Sequence, residues 1–133
     1  MIREAAANGA RLIVTPEGSN FLQKDRERRQ ALIADLDNDA VVKAVAGWAK
    51  DLGVWILIGS AIVKSGHLDD QRAANRAILI SDKGLVTKTY DKVHVYDVDL
   101  PSGETWRESA SVRPGKAAAI ADLAWGRLGI TIC

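Results

Sequence analysis

Residues 41–63 read VVKAVAGWAKDLGVWILIGSAIV, and the apolar period changes in the middle of the stretch. Val41, Val42, Val45, Trp48, Ala49 and Leu52 recur at helical spacing, which predicts a helix with one buried stripe. Asn38 or Asp39 can cap its start, and Gly53 can close it. From Val54 to Val63 the apolar residues run on without that spacing, interrupted by Gly59 and Ser60. This predicts a central strand. The expected class is α/β.

Upstream, Ile2, Ala5, Ala6 and Ala10 fit the buried side of a short helix, and Asn8-Gly9 supplies a turn. Leu12-Ile13-Val14 predicts a short buried strand, ended by Thr15-Pro16-Glu17-Gly18, because Pro16 cannot donate to a sheet ladder. Glu17 then lies just past the carboxyl end of a strand, where open α/β sheets place functional groups. Residues 23–36 are polar, with Leu32, Ile33 and Leu36 at helical spacing, and predict a solvated helix face. Downstream, residues 65–70 form a polar loop. Ala73 to Ile80 is a second long strand, Ser81-Asp82-Lys83-Gly84 a hairpin turn, and Leu85 to Tyr90 a third strand. Residues 97–115 predict a long loop of the kind that carries function. Ala117 to Ala121 and Leu128 to Cys133 are expected to be two final strands, joined across residues 124–127. No linker divides residues 1–133, which are expected to form a single domain.

Composition narrows the function. Eighteen basic against seventeen acidic residues give a net charge of +1, so neither nucleic acid nor an anionic membrane is an expected partner. No apolar run approaches the roughly 20 residues that span a bilayer, and the opening MIREAAANGA has no apolar core of a secretory signal. A single cysteine forms no internal disulfide, and with two histidines it makes a poor metal cage. A reducing, cytoplasmic setting without metal or organic cofactor is expected.

Glu17, Lys92, Glu108 and Cys133 are the candidates for chemistry. Taken singly each has an ordinary reading: a solvated loop acid, a surface lysine, a small buried thiol. Their contexts differ from that. Gly-Ala-Arg-Leu-Ile-Val-Thr-Pro-Glu (residues 9–17), Tyr-Asp-Lys-Val-His (90–94), Arg-Glu-Ser-Ala-Ser-Val-Arg-Pro-Gly (107–115) and Gly-Arg-Leu-Gly-Ile-Thr-Ile-Cys (126–133) occur in that order. Together they resemble the nitrilase superfamily of carbon–nitrogen hydrolases over essentially the whole chain.

The resemblance implies a Glu–Lys–Cys triad, with Glu17 as general base, Lys92 as catalytic lysine and Cys133 as nucleophile. Glu108 matches a second glutamate that holds the lysine. A carboxylate near a thiol can take its proton as it attacks. An ammonium in a water-poor pocket stabilises the oxyanion that forms on an amide carbon. The stretch 90–109 is most similar to the Nit branch, which contains omega-amidases and amidases of deaminated glutathione, and the loop at residues 99–104 favours the latter. The implied substrate is a small carboxylate-bearing amide, with Arg107, Arg113 and Tyr96 as expected substrate contacts. His94 is expected to be structural and His67 solvated. Tyr90, Trp48 and Trp55 are expected in packing, and Trp106 near substrate or at a subunit contact.

Family members are about twice as long and pair an αββα sandwich with a second subunit. The expectation is therefore a partial αββα sandwich of the nitrilase type, lacking the first strand and the C-terminal half, with the full-length protein a homo-oligomer. Cys133 is expected on the last residue of a strand, and the isolated chain is expected to be inactive or nearly so. Alternatives with the same triad are a nitrilase, an omega-amidase or a carbamoyl-amino-acid hydrolase. A different class is a non-catalytic chain that only assembles with a partner. A doubly wound nucleotide-binding module lacks its Gly-x-Gly-x-x-Gly signature.

Overall fold

In the computed structural model the described residues are 1–23 and 25–133, with residue 26 described by its backbone. Asp39 opens the principal helix, α3 (Ala40–Leu52), by accepting from the backbone N–H of Val41 and Val42 at 2.9 Å each. Gly53 closes it at φ +64°, a left-handed geometry that glycine adopts without steric cost. The chain then enters β2 (Trp55–Lys64), which pairs antiparallel with β3 (Ala73–Ile80), itself antiparallel to β4 (Val86–Asp91). β1 (Leu12–Val14) runs parallel to β2, so the main sheet has the order β1-β2-β3-β4.

The two faces of this sheet are covered differently. On one, Ile56, Ile58, Ala61, Val63, Ala74, Ile78 and Ile80 meet Val42, Val45 and Ala49 of α3, with Ile2 and Ala6 of α1 (Ile2–Ala7) at the margin. On the other, Leu57, Ala77, Leu79 and Tyr90 meet Ala119, Ile130 and Ile132. The last three belong to, or directly follow, the ribbon of β7 (Ala119–Leu123) and β8 (Gly126–Ile130). The result is an α/β fold layered helix, sheet, sheet.

A bulge interrupts β2: Ile58 pairs with Ile78, but the next aligned pair is Ala61 with Arg76. One extra residue on β2 shifts its alternation. Even-numbered Ile56 and Ile58 therefore share a face with odd-numbered Ala61 and Val63.

Several expectations change. Residues 97–115 are not an irregular loop throughout. They contain an antiparallel hairpin of β5 (Asp97–Asp99) and β6 (Thr105–Arg107), turned at Gly103 with φ +86°, followed by a short 3-10 turn over Glu108–Ala110. The polar segment 23–36 gives a short α2 (Arg26–Leu32), and a 3-10 turn follows at Leu36–Asn38. The part of that expectation at Lys24 lies outside the described residues. The last strand ends at Ile130, so Cys133 lies beyond it rather than on it. Trp48 is on the edge of the α3 stripe and is 37% exposed, because its ring outreaches the helix–sheet interface. Trp55 is partly buried and meets Trp125 edge-on at 6.2 Å, with the Arg11 guanidinium 4.2 Å over the Trp125 ring. Tyr90 is buried as expected, whereas His94 is exposed and off the strand.

Candidate active site

β1 and β4 both run parallel to β2, so their carboxyl ends lie on the same side of the sheet. Glu17 follows the first and Lys92 the second. The antiparallel β3 brings the start of its own strand, with Asn75, to that same side.

The Glu17 turn is clamped to the β2 bulge. Ser60 Oγ accepts from the Gly18 N–H at 2.9 Å, Thr15 Oγ1 accepts from the Gly59 N–H at 3.2 Å, and the Ser19 N–H donates to the Ser60 carbonyl at 2.8 Å. The approach is close enough that a Cβ on Gly59 would fall 2.0 Å from the Thr15 carbonyl oxygen. Lys92 is fixed in the same manner. Its N–H donates to the Asn75 carbonyl at 2.9 Å, and its carbonyl accepts from the Gly115 N–H at 2.8 Å. A Cβ on Gly115 would lie 2.2 Å from the Asp91 carbonyl oxygen. Glu108 is carried by the segment that pairs Val112 with Ala73 at the start of β3.

These anchors bring three predicted residues into contact. Lys92, 2% exposed, places Nζ 2.9 Å from Glu17 Oε1 and 3.0 Å from Glu108 Oε2. Burial by itself would lower the Lys92 pKa, but the hydrogen bonds and charges of the two glutamates outweigh it and raise the pKa above 10.5. Burial would raise the Glu108 pKa, yet the Tyr96 N–H at 2.6 Å, the Lys92 ammonium and the Asn75 amide lower it below its usual 4.5. Lys92 is thus a cation and Glu108 an anion at neutral pH.

Asn75 is the site residue that sequence reasoning missed. It is 3% exposed, and its Nδ2 donates to Glu17 Oε1 at 2.8 Å and to Glu108 Oε1 at 3.2 Å. Its own Oδ1 has no partner among the described residues. The sequence offered little to find it by: Asn75 stands beside Arg76 in the first half of β3, and a polar pair there does not distinguish a buried amide from a solvated one.

Counting donors and acceptors distinguishes the two glutamates. Both oxygens of Glu108 are occupied: Oε1 by Asn75, Oε2 by Lys92 and the Tyr96 N–H. On Glu17 both donors converge on Oε1, and Oε2 has no partner among the described residues. An ammonium has three N–H bonds, and the two glutamates accept two of them.

An open cavity of ≈ 480 Å³ adjoins this cluster. Glu17, Lys92 and Glu108 line it with Cys133, Tyr96, Trp106 and Arg107. Cys133 is exposed, with φ +54°, unusual for a non-glycine residue. Arg107 reaches the cavity with its guanidinium already engaged, by Asp99 Oδ1 at 2.5 Å and by the carbonyls of Val98 and Trp106. Arg113 does not reach it. Its Nε lies 3.4 Å from Asp70 Oδ2, and it lines a different cavity with His67, Lys88 and Lys116. The backbone direction at residue 113 is set by pairing with Ala73, which points the side chain away from the glutamates. No group of three His, Cys, Asp or Glu residues among the described residues is arranged to hold a metal ion. Among the described residues no helix is long and apolar enough to cross a membrane.

The model of the carbon-nitrogen hydrolase family matches residues 1–133. The chain belongs to that family. Among carbon-nitrogen hydrolases, it is 32% identical over 128 residues to a deaminated glutathione amidase of Yersinia enterocolitica, covering 95% of this chain and 44% of the relative. It superposes on the C. elegans NitFhit protein with a TM-score of 0.83 at 22% identity, over 100% of this chain and 32% of that one. A variant of the amidase from Nesterenkonia sp. AN1, described as showing Michael addition of acrylamide at its active site cysteine, matches with a TM-score of 0.75. The identity there is 23%, over 99% of this chain and 47% of that one. The nitrilase-type fold expected from the motifs is therefore present. The chain spans between 40% and 44% of the length of the first three curated relatives it matches.

Proposed function

We propose that this chain supplies the catalytic centre of an amidase that hydrolyses a small carboxylate-bearing amide through a thioester on Cys133. The observation that carries the proposal is the uneven loading of Glu17. One oxygen is held by Lys92 and Asn75, while the other has no donor among the described residues. Glu17 Oε2 is the proton acceptor of the proposed reaction. As Cys133 Sγ bonds to the amide carbon, the thiol proton moves to Glu17, and the carbonyl electrons become an oxyanion. The third N–H of Lys92 donates to that oxyanion, a contribution worth roughly a hundred- to a thousandfold in rate. Glu17 then protonates the departing nitrogen, the C–N bond breaks and ammonia leaves. Water, deprotonated by Glu17, attacks the thioester. The C–S bond breaks, and a carboxylic acid and free Cys133 result. Glu108, with no free oxygen, positions Lys92 and takes no proton.

The names of the relatives support the amide as substrate class: deaminated glutathione amidase for the Yersinia protein, and an amidase with an active site cysteine for that of Nesterenkonia. Ammonia release from a panel of amides, nitriles and carbamoyl-amino acids, with intact-mass detection of an acyl adduct on Cys133, tests the reading. The expected result is ammonia and adduct from an amide, both abolished in Cys133→Ala. Turnover that survives Cys133→Ala overturns it.

A further inference from the structure

Glu108 enters the site from the foot of the β5–β6 hairpin, and its main chain is tied on both sides. Continuing the hairpin ladder one position past the pair Asp97 and Arg107 sets Tyr96 opposite Glu108. The Glu108 N–H donates to the Tyr96 carbonyl at 3.1 Å, and the Glu108 carbonyl accepts from the N–H groups of Ser111 and Val112 at 3.0 and 2.9 Å. The next residue carries the rest of the restraint. The Ser109 N–H donates to Asp97 Oδ1 at 3.0 Å, and its hydroxyl donates to Asp97 Oδ2 at 2.5 Å. The Ser109 carbonyl accepts from Arg72 Nη1 at 3.0 Å, and Arg72 is itself forked onto Asp70. The peptide plane between Glu108 and Ser109 is thus gripped at its carbonyl by the 3-10 turn and at its N–H by Asp97. With that plane and the Tyr96 contact fixed, the direction in which the Glu108 side chain leaves the main chain is fixed as well. The two Ser109 donors hold the Asp97 carboxyl below its usual 3.8, so it is an anion at neutral pH. The described lining of the cavity beside Cys133 includes neither Asp97 nor Ser109.

We propose that Asp97 is a positioning residue: through Ser109 it sets the direction of Glu108, and through Glu108 the seat of Lys92. The consequence for turnover rests on the amidase reading of the site; the consequence for Glu108 does not.

The test reads Glu108 directly, as the midpoint of its carboxyl-carbon resonance against pH, and the turnover of glutaramate separately. Positioning and simple charge give opposite signs. Asp97→Ala removes a nearby negative charge, which alone would lower the Glu108 midpoint. Loss of position draws Glu108 away from Lys92, Asn75 and the Tyr96 N–H, and raises it. Lys92 and Glu17, the charged groups that share the cluster with Glu108, are unchanged in the variant. The expected result in Asp97→Ala is a raised midpoint and a kcat lower by roughly five- to tenfold, with KM within about twofold. Asp97→Asn keeps an oxygen for the Ser109 N–H and gains an amide that can donate to the Ser109 hydroxyl, so it is expected to recover most of both. Ser109→Ala, which deletes only the hydroxyl link, is expected to move the midpoint in the same direction by less, and decides the question if Asp97→Ala does not fold. An unchanged or lowered Glu108 midpoint in the folded variant overturns the assignment. So does an equal rise in Asp97→Asn, or an undiminished kcat in Asp97→Ala. If the natural protein hydrolyses no amide, the amidase reading falls, while a raised midpoint still supports the hold of Asp97 on Glu108.

Discussion

Asn75 donates its side-chain amide to Glu17 across 2.8 Å, from a strand position that is 3% exposed. The same amide nitrogen reaches Glu108 at 3.2 Å, so one neutral side chain holds two carboxylates on either side of Lys92. Removing it leaves Glu17 held, among the described residues, by Lys92 alone. Asn75→Ala is expected to lower kcat by roughly ten- to a hundredfold, the scale on which misplacement of a reacting group by about 1 Å acts. Asn75→Asp, which puts a third carboxylate against the other two, is expected to be worse. Steady-state kinetics in which Asn75→Ala keeps the full kcat would contradict this role.

Two glycines give opposite expectations for the same substitution. In Gly59→Ala the new methyl meets the Thr15 carbonyl oxygen at 2.0 Å and the Pro16 carbonyl oxygen at 2.8 Å. The Glu17 turn must move, at a cost of about 1–3 kcal/mol, with loss of activity. Gly47 lies within α3 with nothing within 4 Å of a built Cβ, so Gly47→Ala is expected to stabilise by about 0.5–1 kcal/mol. Urea unfolding midpoints measure both.

The paired charges predict where stability depends on pH. The pKa of Glu108 in the fold lies below its usual 4.5. Its contribution is therefore complete above pH 4.5 and is lost as pH falls through the lower folded value. The pKa of Lys92 in the fold lies above 10.5. Its contribution is complete below that pH and is lost as pH rises through the higher folded value. Unfolding midpoints measured from pH 3 to pH 5 are expected to fall with acid in the natural protein, and less steeply in Glu108→Gln. Equal slopes would separate Glu108 from the acid limb.

Asp39 joins the helix to the site. Its Oδ1 caps α3, and its Oδ2 accepts from Asn20 Nδ2 at 2.9 Å. Asn20 in turn brackets Ile62 of β2 through both its N–H and its carbonyl. Asp39→Ala is expected to destabilise by about 1–2 kcal/mol, the upper range for losing a cap. A double-mutant cycle with Asn20→Ala is expected to show coupling, because the two side chains share one network. Additive losses would show that they act separately.

The parts of the fold that were legible in sequence are those with a strong period. The stripe of α3 and the apolar runs of β2 and β3 appear with nearly the expected bounds. Glu17, Lys92, Glu108 and Cys133 stood out as candidates because each sits in a distinctive local motif. Asn75 was not, because its partners lie 58 and 33 residues away and nothing local marks the meeting. The hairpin at residues 97–107 escaped because strands of three residues, rich in charge, carry too little alternation to be recognised. The displacement of Arg113 depends on pairing between residues 112 and 73, a tertiary fact.

The irregularity between Ile58 and Ala61 behaves as a phase shifter within a single strand. Before it, even positions point toward α3; after it, odd positions do. Regular pairing through this point with no residue lost would turn everything downstream inside out, Val63 included. The local disorder in the ladder is thus what lets one ribbon serve as hydrophobic floor at one end and as mooring for a reactive turn at the other.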